Sequence, residues 1–278
     1  MRHWILCFAS VISLPLQAAQ DDDFWLYLDA VQARSSLGLS AGAYESGGQY
    51  QNVQLRLALT NDFFLDASAE QQNTETTTSG WNAAIGNASY APLEWQIHTN
   101  AWGESDVIQT RDTGLFLTRH GQEWSFGLGY ENGDLELFTN NFINQQSGSL
   151  EHEARHVSLD WLRDRIGWGM EWVKHDYEKD LRGLNDPRLR FIIKPDAIGQ
   201  ASALALRESR FYVVHYWQDD SLNISLSRIQ SAVTRDILQY ALVTYSHSFN
   251  PFFSLGLDTQ IPTEEGSASA GINLGLSW

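Results

Sequence analysis

The sequence is short of cysteine, of lysine and of long apolar runs. Its one cysteine, Cys7, lies close to the start, so a chain trimmed beyond it holds no disulfide and no thiolate metal ligand. Eighteen basic residues, of which only Lys174, Lys179 and Lys194 are lysines, stand against 34 acidic ones, a formal net charge of −16. Nucleic-acid binding rests on cations that neutralise phosphates, so this balance argues against it. Beyond residue 20 no apolar stretch reaches the roughly 18 residues that a membrane-crossing helix needs. A membrane location would then require a closed barrel, because lipid offers backbone groups no partner. There is no G-x-S-x-G, P-loop or dinucleotide fingerprint, and so no motif for a cofactor.

What the chain does have is apolar and aromatic residues in abundance: 43 % are hydrophobic and 12 % aromatic, with 11 tryptophans. The start reads as a signal peptide. Arg2 and His3 form a short basic segment, Trp4 to Leu16 an apolar one, and Gln17-Ala18-Ala19 a small-residue cut site. The expected division is therefore a leader over 1–19 and one folded unit over 20–278.

That unit alternates with a period of two. Val53, Leu55, Leu57 and Leu59 share one face, and Phe63, Leu65, Ala67 and Ala69 another. The pattern recurs at Leu93–Ala101, Trp124–Tyr130, Val157–Trp161, Leu222–Leu226 and Phe253–Leu257. Gly47-Gly48, Asn61-Asp62, Ala91-Pro92, Asn132-Gly133, Asp219-Asp220 and Asn250-Pro251 read as the turns between runs. Centring the first hairpin on Asn61 sets Leu57 opposite Leu65 and Leu55 opposite Ala67. It also sets Arg56 opposite Asp66 on the other face, so one register satisfies both faces. The spacing predicts an all-β fold, a single closed antiparallel transmembrane β-barrel of about 14 to 16 strands. Residues 24–45 read as one strand or a hairpin. Residues 178–210 break the pattern with Pro187 and Pro195, and read as an external loop, a segment folded inward or two short strands.

A β-sandwich also alternates, and three features favour the barrel. Aromatics gather at strand ends (Phe63, Phe64, Tyr90, Trp102, Trp124, Tyr130, Trp217, Phe252, Phe253), as in a membrane girdle. Charges stand mid-strand on the polar face, where a water-filled lumen accommodates them. The third feature is the final strand, in which Ala270, Ile272, Leu274, Leu276 and Trp278 alternate with small and polar residues. This ending resembles the C-terminal signal of Gram-negative outer-membrane β-barrel proteins, in which an alternating strand ends on an aromatic. The resemblance implies an outer-membrane location, contact with outer-membrane lipid, and recognition of Ile272, Leu274, Leu276 and Trp278 by the barrel assembly machinery.

Inward-facing Arg56, Asp66, Glu70, Glu94, His98, Asp160 and Glu171 are the candidate pore-lining residues. His156 and Ser158, two apart, resemble the His-x-Ser pair of outer-membrane phospholipases and lipid A deacylases. Here Val157, Leu159 and Trp161 take the lipid face, which turns His156 and Ser158 to the lumen, and the family's Asn-rich context is missing. His152 and His156 have a helical ligand spacing on a segment that alternates as strand; His98, His175, His215 and His247 are scattered, so no metal site is expected. Glu151, His152, Glu153 and Arg155 read as a solvated turn. The leading expectation is a porin-like pore for small hydrophilic solutes or saccharides, cation-preferring because carboxylates exceed cations. The alternatives are a plugged or partner-filled barrel with a structural or polysaccharide-export role, and a lipid-active barrel enzyme. Two protein partners suit such a barrel, a second copy of the chain or an export partner.

Overall fold

Fourteen stretches of alternating sequence become fourteen strands in the computed structural model, which describes residues 35–60, 62–74, 77–87, 92–104, 107–138, 147–182, 204–263 and 267–278. In chain order they are β1 (Ser36–Tyr44), β2 (Gln49–Ala58), β3 (Phe63–Asn73), β4 (Thr77–Asn87), β5 (Leu93–Glu104), β6 (Ile108–His120) and β7 (Trp124–Phe138). There follow β8 (Ser147–Arg163), β9 (Ile166–Tyr177), β10 (Ala205–Trp217), β11 (Asp220–Ser231), β12 (Ile237–Asn250), β13 (Phe253–Pro262) and β14 (Ser269–Ser277). Each strand pairs antiparallel with its sequence neighbours, and β1 pairs with β14 from Ser36↔Ser277 to Tyr44↔Ser269 to close the barrel. Closure leaves no unpaired sheet edge, which is what a lipid surround demands. The even strand number puts β1's start and β14's end at one end of the barrel, called here the terminal end. The opposite end is the loop end.

The alternation resolves into an apolar outside and a polar inside. Val53, Leu65, Ile97, Leu128, Ile224, Leu257 and Ile272 are all exposed on the outer surface. Rings crowd the terminal end of that surface: Phe63 lies 6.2 Å from Trp95, Trp124 5.5 Å from Trp168, and Phe249 5.3 Å from Phe253. Such rings suit the boundary between hydrocarbon and headgroup. The expected first register is found, with Leu57↔Leu65, Arg56↔Asp66 and Leu55↔Ala67.

Several expectations are corrected. Asn132-Gly133 is not a turn; both lie inside β7, where Gly133 lets the neighbouring strands' side chains pass over it. Glu151, His152, Glu153 and Arg155 are not a turn either, because β8 runs for 17 residues and carries them as strand. Phe64 and Trp102 do not join the outer girdle. Phe64 is 3 % exposed on the inward face, with the Arg56 guanidinium 4.4 Å above its ring, and Trp102 lines the interior. A turn at Asp164-Arg165, which the sequence did not mark, carries positive φ at Asp164 (53°), and the expected Asp219-Asp220 turn falls one residue earlier, at Gln218-Asp219, with positive φ at Gln218 (51°), as tight hairpins require. The leader over 1–19, residues 24–34, Asn61, Tyr90 and residues 183–203 lie outside the described residues.

Inside the loop end sits an apolar cluster of Val107, Ile108, Leu135, Leu181, Leu204, Ala232 and Val233, with Leu137, Leu150, Tyr177 and Leu206 against it. On these long strands the inward face turns apolar beyond the charged zone. Leu181 and Leu204 show that the flanks of the irregular 178–210 segment pack inward.

Candidate functional site: the barrel lumen

The interior encloses a cavity of about 750 Å³. Its lining reaches from Ser36, Ser254 and Ser277 near the terminal end to Thr110, Tyr240 and Gln260 near the loop end. A barrel of this strand number is wider than its side chains can fill. Alternation alone puts Arg56, Asp66, Glu70, Glu94, His98, Asp160 and Glu171 on the inward face, opposite to the exposed apolar residues of the same strands. Of these, Arg56, Asp66, Glu70, His98 and Glu171 border the cavity itself.

Most of the inward charge is paired. Arg56 donates from Nε and Nη2 to the two oxygens of Asp66, 2.7 Å each, a bidentate bond between register partners. Glu94 accepts from His120 Nε2 at 3.0 Å, and His120 Nδ1 meets Ser125 Oγ at 2.8 Å. His98, 6 % exposed, reaches Glu131 at 2.7 Å and stacks on Phe116 at 4.9 Å. His156 Nε2 lies 3.1 Å from the other oxygen of Glu131, and its ring meets Phe116 edge-on at 4.8 Å. Asp160 accepts a short hydrogen bond from the Tyr212 hydroxyl. Glu171 stands opposite Arg210 in the β9–β10 register, and Glu70 covers Gly80 with no ion-pair partner among the described residues.

Glycines make this pairing possible. His98 and Glu131 sit on β5 and β7, with Gly114 of β6 between them in register. A Cβ at Gly114 would stand 2.4 Å from His98 Cε1 and 2.7 Å from Glu131 Cγ. The missing side chain is a gap across which next-but-one strands bond. Tyr50 and Asp258 do the same across the closing seam. The Tyr50 hydroxyl donates to Asp258 Oδ2 at 2.7 Å over both Gly42 and Gly271.

The longest such chain escapes sequence reading. Asp112 Oδ1 accepts from His152 Nδ1 at 2.9 Å, His152 Nε2 faces His175 Nδ1 at 3.0 Å, and His175 Nε2 reaches Glu208 Oε1 at 2.9 Å. The two imidazoles are nearly coplanar, 11° apart with centroids at 5.2 Å, so their lone-pair directions meet head-on. His152 shares the parity of His156, Ser158 and Asp160, and this extension of one strand's inward face was the signal available. His156 and Ser158 face the interior as expected, so the lipid-facing arrangement of the lipid hydrolases is not reproduced.

The opposite wall is built of small residues. β11 to β14 and β1 present Ser225, Ser227, Ser246, Ser254, Gly256, Asn273, Gly38 and Ser40 to the cavity or to the side chains beside it. A Cβ at Gly38 would meet only Gln54, at an ordinary 3.7 Å.

No family model and no curated protein matches the chain. Solved structures do. A KdgM porin determined with disordered oligogalacturonate is similar with a TM-score of 0.50 at 6 % identity, over 87 % of this chain and 99 % of that one. A loop-deletion mutant of OmpT, an outer membrane protein of Vibrio cholerae, has a TM-score of 0.47 at 9 % identity, over 88 % and 98 %. A NanC porin has 0.46 at 6 %, over 86 % and 98 %. At such identities the likeness is one of fold: the chain has the architecture of outer-membrane porins, a closed 14-stranded barrel whose apolar exterior is a membrane-facing surface.

Proposed function

We propose that the chain is an outer-membrane channel for small hydrophilic solutes or saccharides. The observation that carries this is the cavity of about 750 Å³, bordered by polar and apolar side chains from Ser36 and Ser277 near the terminal end to Tyr240 and Gln260 near the loop end. A closed structural barrel would fill that volume with side chains. Cation preference is part of the proposal. Arg56 is neutralised by Asp66, whereas Glu70 faces the cavity without a counter-ion among the described residues. Lumen carboxylates of this kind raise the local cation concentration. The C-terminal strand is proposed to serve as the segment read by the barrel assembly machinery, because Ile272, Leu276 and Trp278 stand exposed on one face.

Single-channel recording in planar bilayers tests the channel, and the reversal potential in a salt gradient tests its preference. Refolded protein should give discrete conductance steps and a cation-selective potential. Heat-modifiable, correctly folded protein with no conductance would overturn the channel reading. One observation favours a partner-filled barrel as the second reading: the apolar cluster around Ile108 and Leu135 narrows the loop end from inside.

A further inference from the structure

The outer surface changes character along one arc of the barrel. On β7 to β11 the cross-strand rows can be read directly from the register. Phe126, Leu159, Met170, Phe211 and Leu226 form one row, apolar throughout. The next row toward the loop end is Leu128, Val157, Trp172, Ser209 and Arg228. The row beyond that is Tyr130, Arg155, Lys174, Arg207 and Gln230. On β8, β9, β10 and β11 the apolar stripe thus gives way to Arg155, Lys174, Arg207 and Arg228.

Elsewhere the same boundary is neutral. Gln51 and Gln71 hydrogen-bond to each other at 2.8 Å on β2 and β3, and Ser79, Thr113, Asn132, Gln239 and Thr259 occupy it on other strands. Arg111, one step beyond Thr113 on β6, stands opposite Asp134. In a chain of net charge −16, four cations on adjacent strands at one lipid boundary form a distinct patch.

The patch is under-compensated from within. Arg155, Lys174 and Arg207 are direct register neighbours, and like charges so placed repel. Lys174 Nζ bonds Asp176 at 2.6 Å, and Arg155 Nη2 lies 3.4 Å from Glu153. Arg207 and Arg228 are exposed, and no ion pair in the described residues takes them up. Aromatic anchors flank the patch, with Trp172 and Tyr130 on its apolar border. Cationic clusters at this depth recognise phosphorylated lipid headgroups.

We propose that Arg155, Lys174, Arg207 and Arg228 form a binding site on the barrel's exterior for the phosphate groups of a lipid headgroup in the leaflet at the loop end. The acyl chains lie along the apolar rows of β8 to β11, and the phosphates offset the like-charge row. The site does not depend on whether the lumen conducts.

The test uses the full barrel in phosphatidylcholine nanodiscs doped with bis-phosphorylated lipid A. Native mass spectrometry and a titration should show at least one retained lipid A, displaced only weakly by inorganic phosphate. The variant R207Q/R228Q removes two arginines with no protein ion pair and so leaves folding intact. It should bind on the order of tenfold more weakly, with R207K/R228K restoring most of the affinity and single-channel conductance unchanged. Equal affinity for wild type and R207Q/R228Q would overturn the site. So would equal affinity for dephosphorylated lipid A, or complete displacement by millimolar inorganic phosphate.

Discussion

The lumen has two unlike walls. From β3 to β10 it carries Asp66, Glu94, His98, Glu131, His152, His175 and Glu208, mostly bonded to one another. From β11 to β14 and on β1 its terminal half carries mainly serine, glycine and asparagine, with Ile229, Tyr240, Leu242 and Asp258 nearer the loop end. The first wall uses large polar groups to fill and tie together its side of the barrel. The second leaves room in the cavity, which both walls border. Charge inside a barrel therefore does not by itself mark the solute path. Where charges are paired the wall is tied together, and where side chains are small the wall leaves space.

Four predictions probe this contrast. The largest effect is expected from a matched pair of glycine substitutions. Gly114→Val drives a side chain between His98 and Glu131 and should cost about 3 kcal/mol or more in urea unfolding from lipid vesicles. Gly38→Val on the small wall should cost less than about 1 kcal/mol in the same assay. Equal costs would erase the distinction between the walls. His98→Ala removes one of two imidazoles from Glu131 and should cost about 1–3 kcal/mol. Smaller in energy but decisive for function is the ranking of selectivity changes. Glu70→Gln should shift the reversal potential toward zero more than Glu94→Gln, whose carboxylate is held by His120, so a larger shift from Glu94→Gln would reverse the assignment of free and paired charge. The smallest effect concerns the flank of the loop end. The Arg182 guanidinium, bonded to Asp180, holds that carboxyl down to about 2, from an ordinary 3.8. A lowered folded value means its contribution is present above 3.8 and fades as pH falls through about 2. A carboxyl NMR titration of Asp180 that centres near 3.8 would contradict that contact.

Much of this was legible in the sequence because the strand period is strict. The outward faces, the Arg56–Asp66 register, the inward parity of the seven candidate residues and the closing strand to Trp278 all follow from alternation alone. What was not legible lies in the direction perpendicular to the chain. His152 and His175 meet because β8 and β9 pair in one register, and Asp112 reaches His152 because Gly133 stands between them. Gly133 looked like a turn residue because glycine serves both purposes. Asp164 hid its turn by adopting positive φ without it, while Gln218 does so one residue before the Asp219-Asp220 pair that marked its turn. Phe64 and Trp102 sat at strand ends, as girdle residues do, yet their parity turns them inward.

The central proposal is that the lumen conducts past Gly38 of β1, and a single-channel recording on one variant tests it most directly. Apart from Cys7 the chain has no cysteine, so Gly38→Cys combined with Cys7→Ser carries a unique thiol facing the cavity. Adding a bulky methanethiosulfonate reagent to an open channel should lower its conductance by about half or more, while wild type is unaffected. A labelled Gly38→Cys channel that conducts as before would contradict the account.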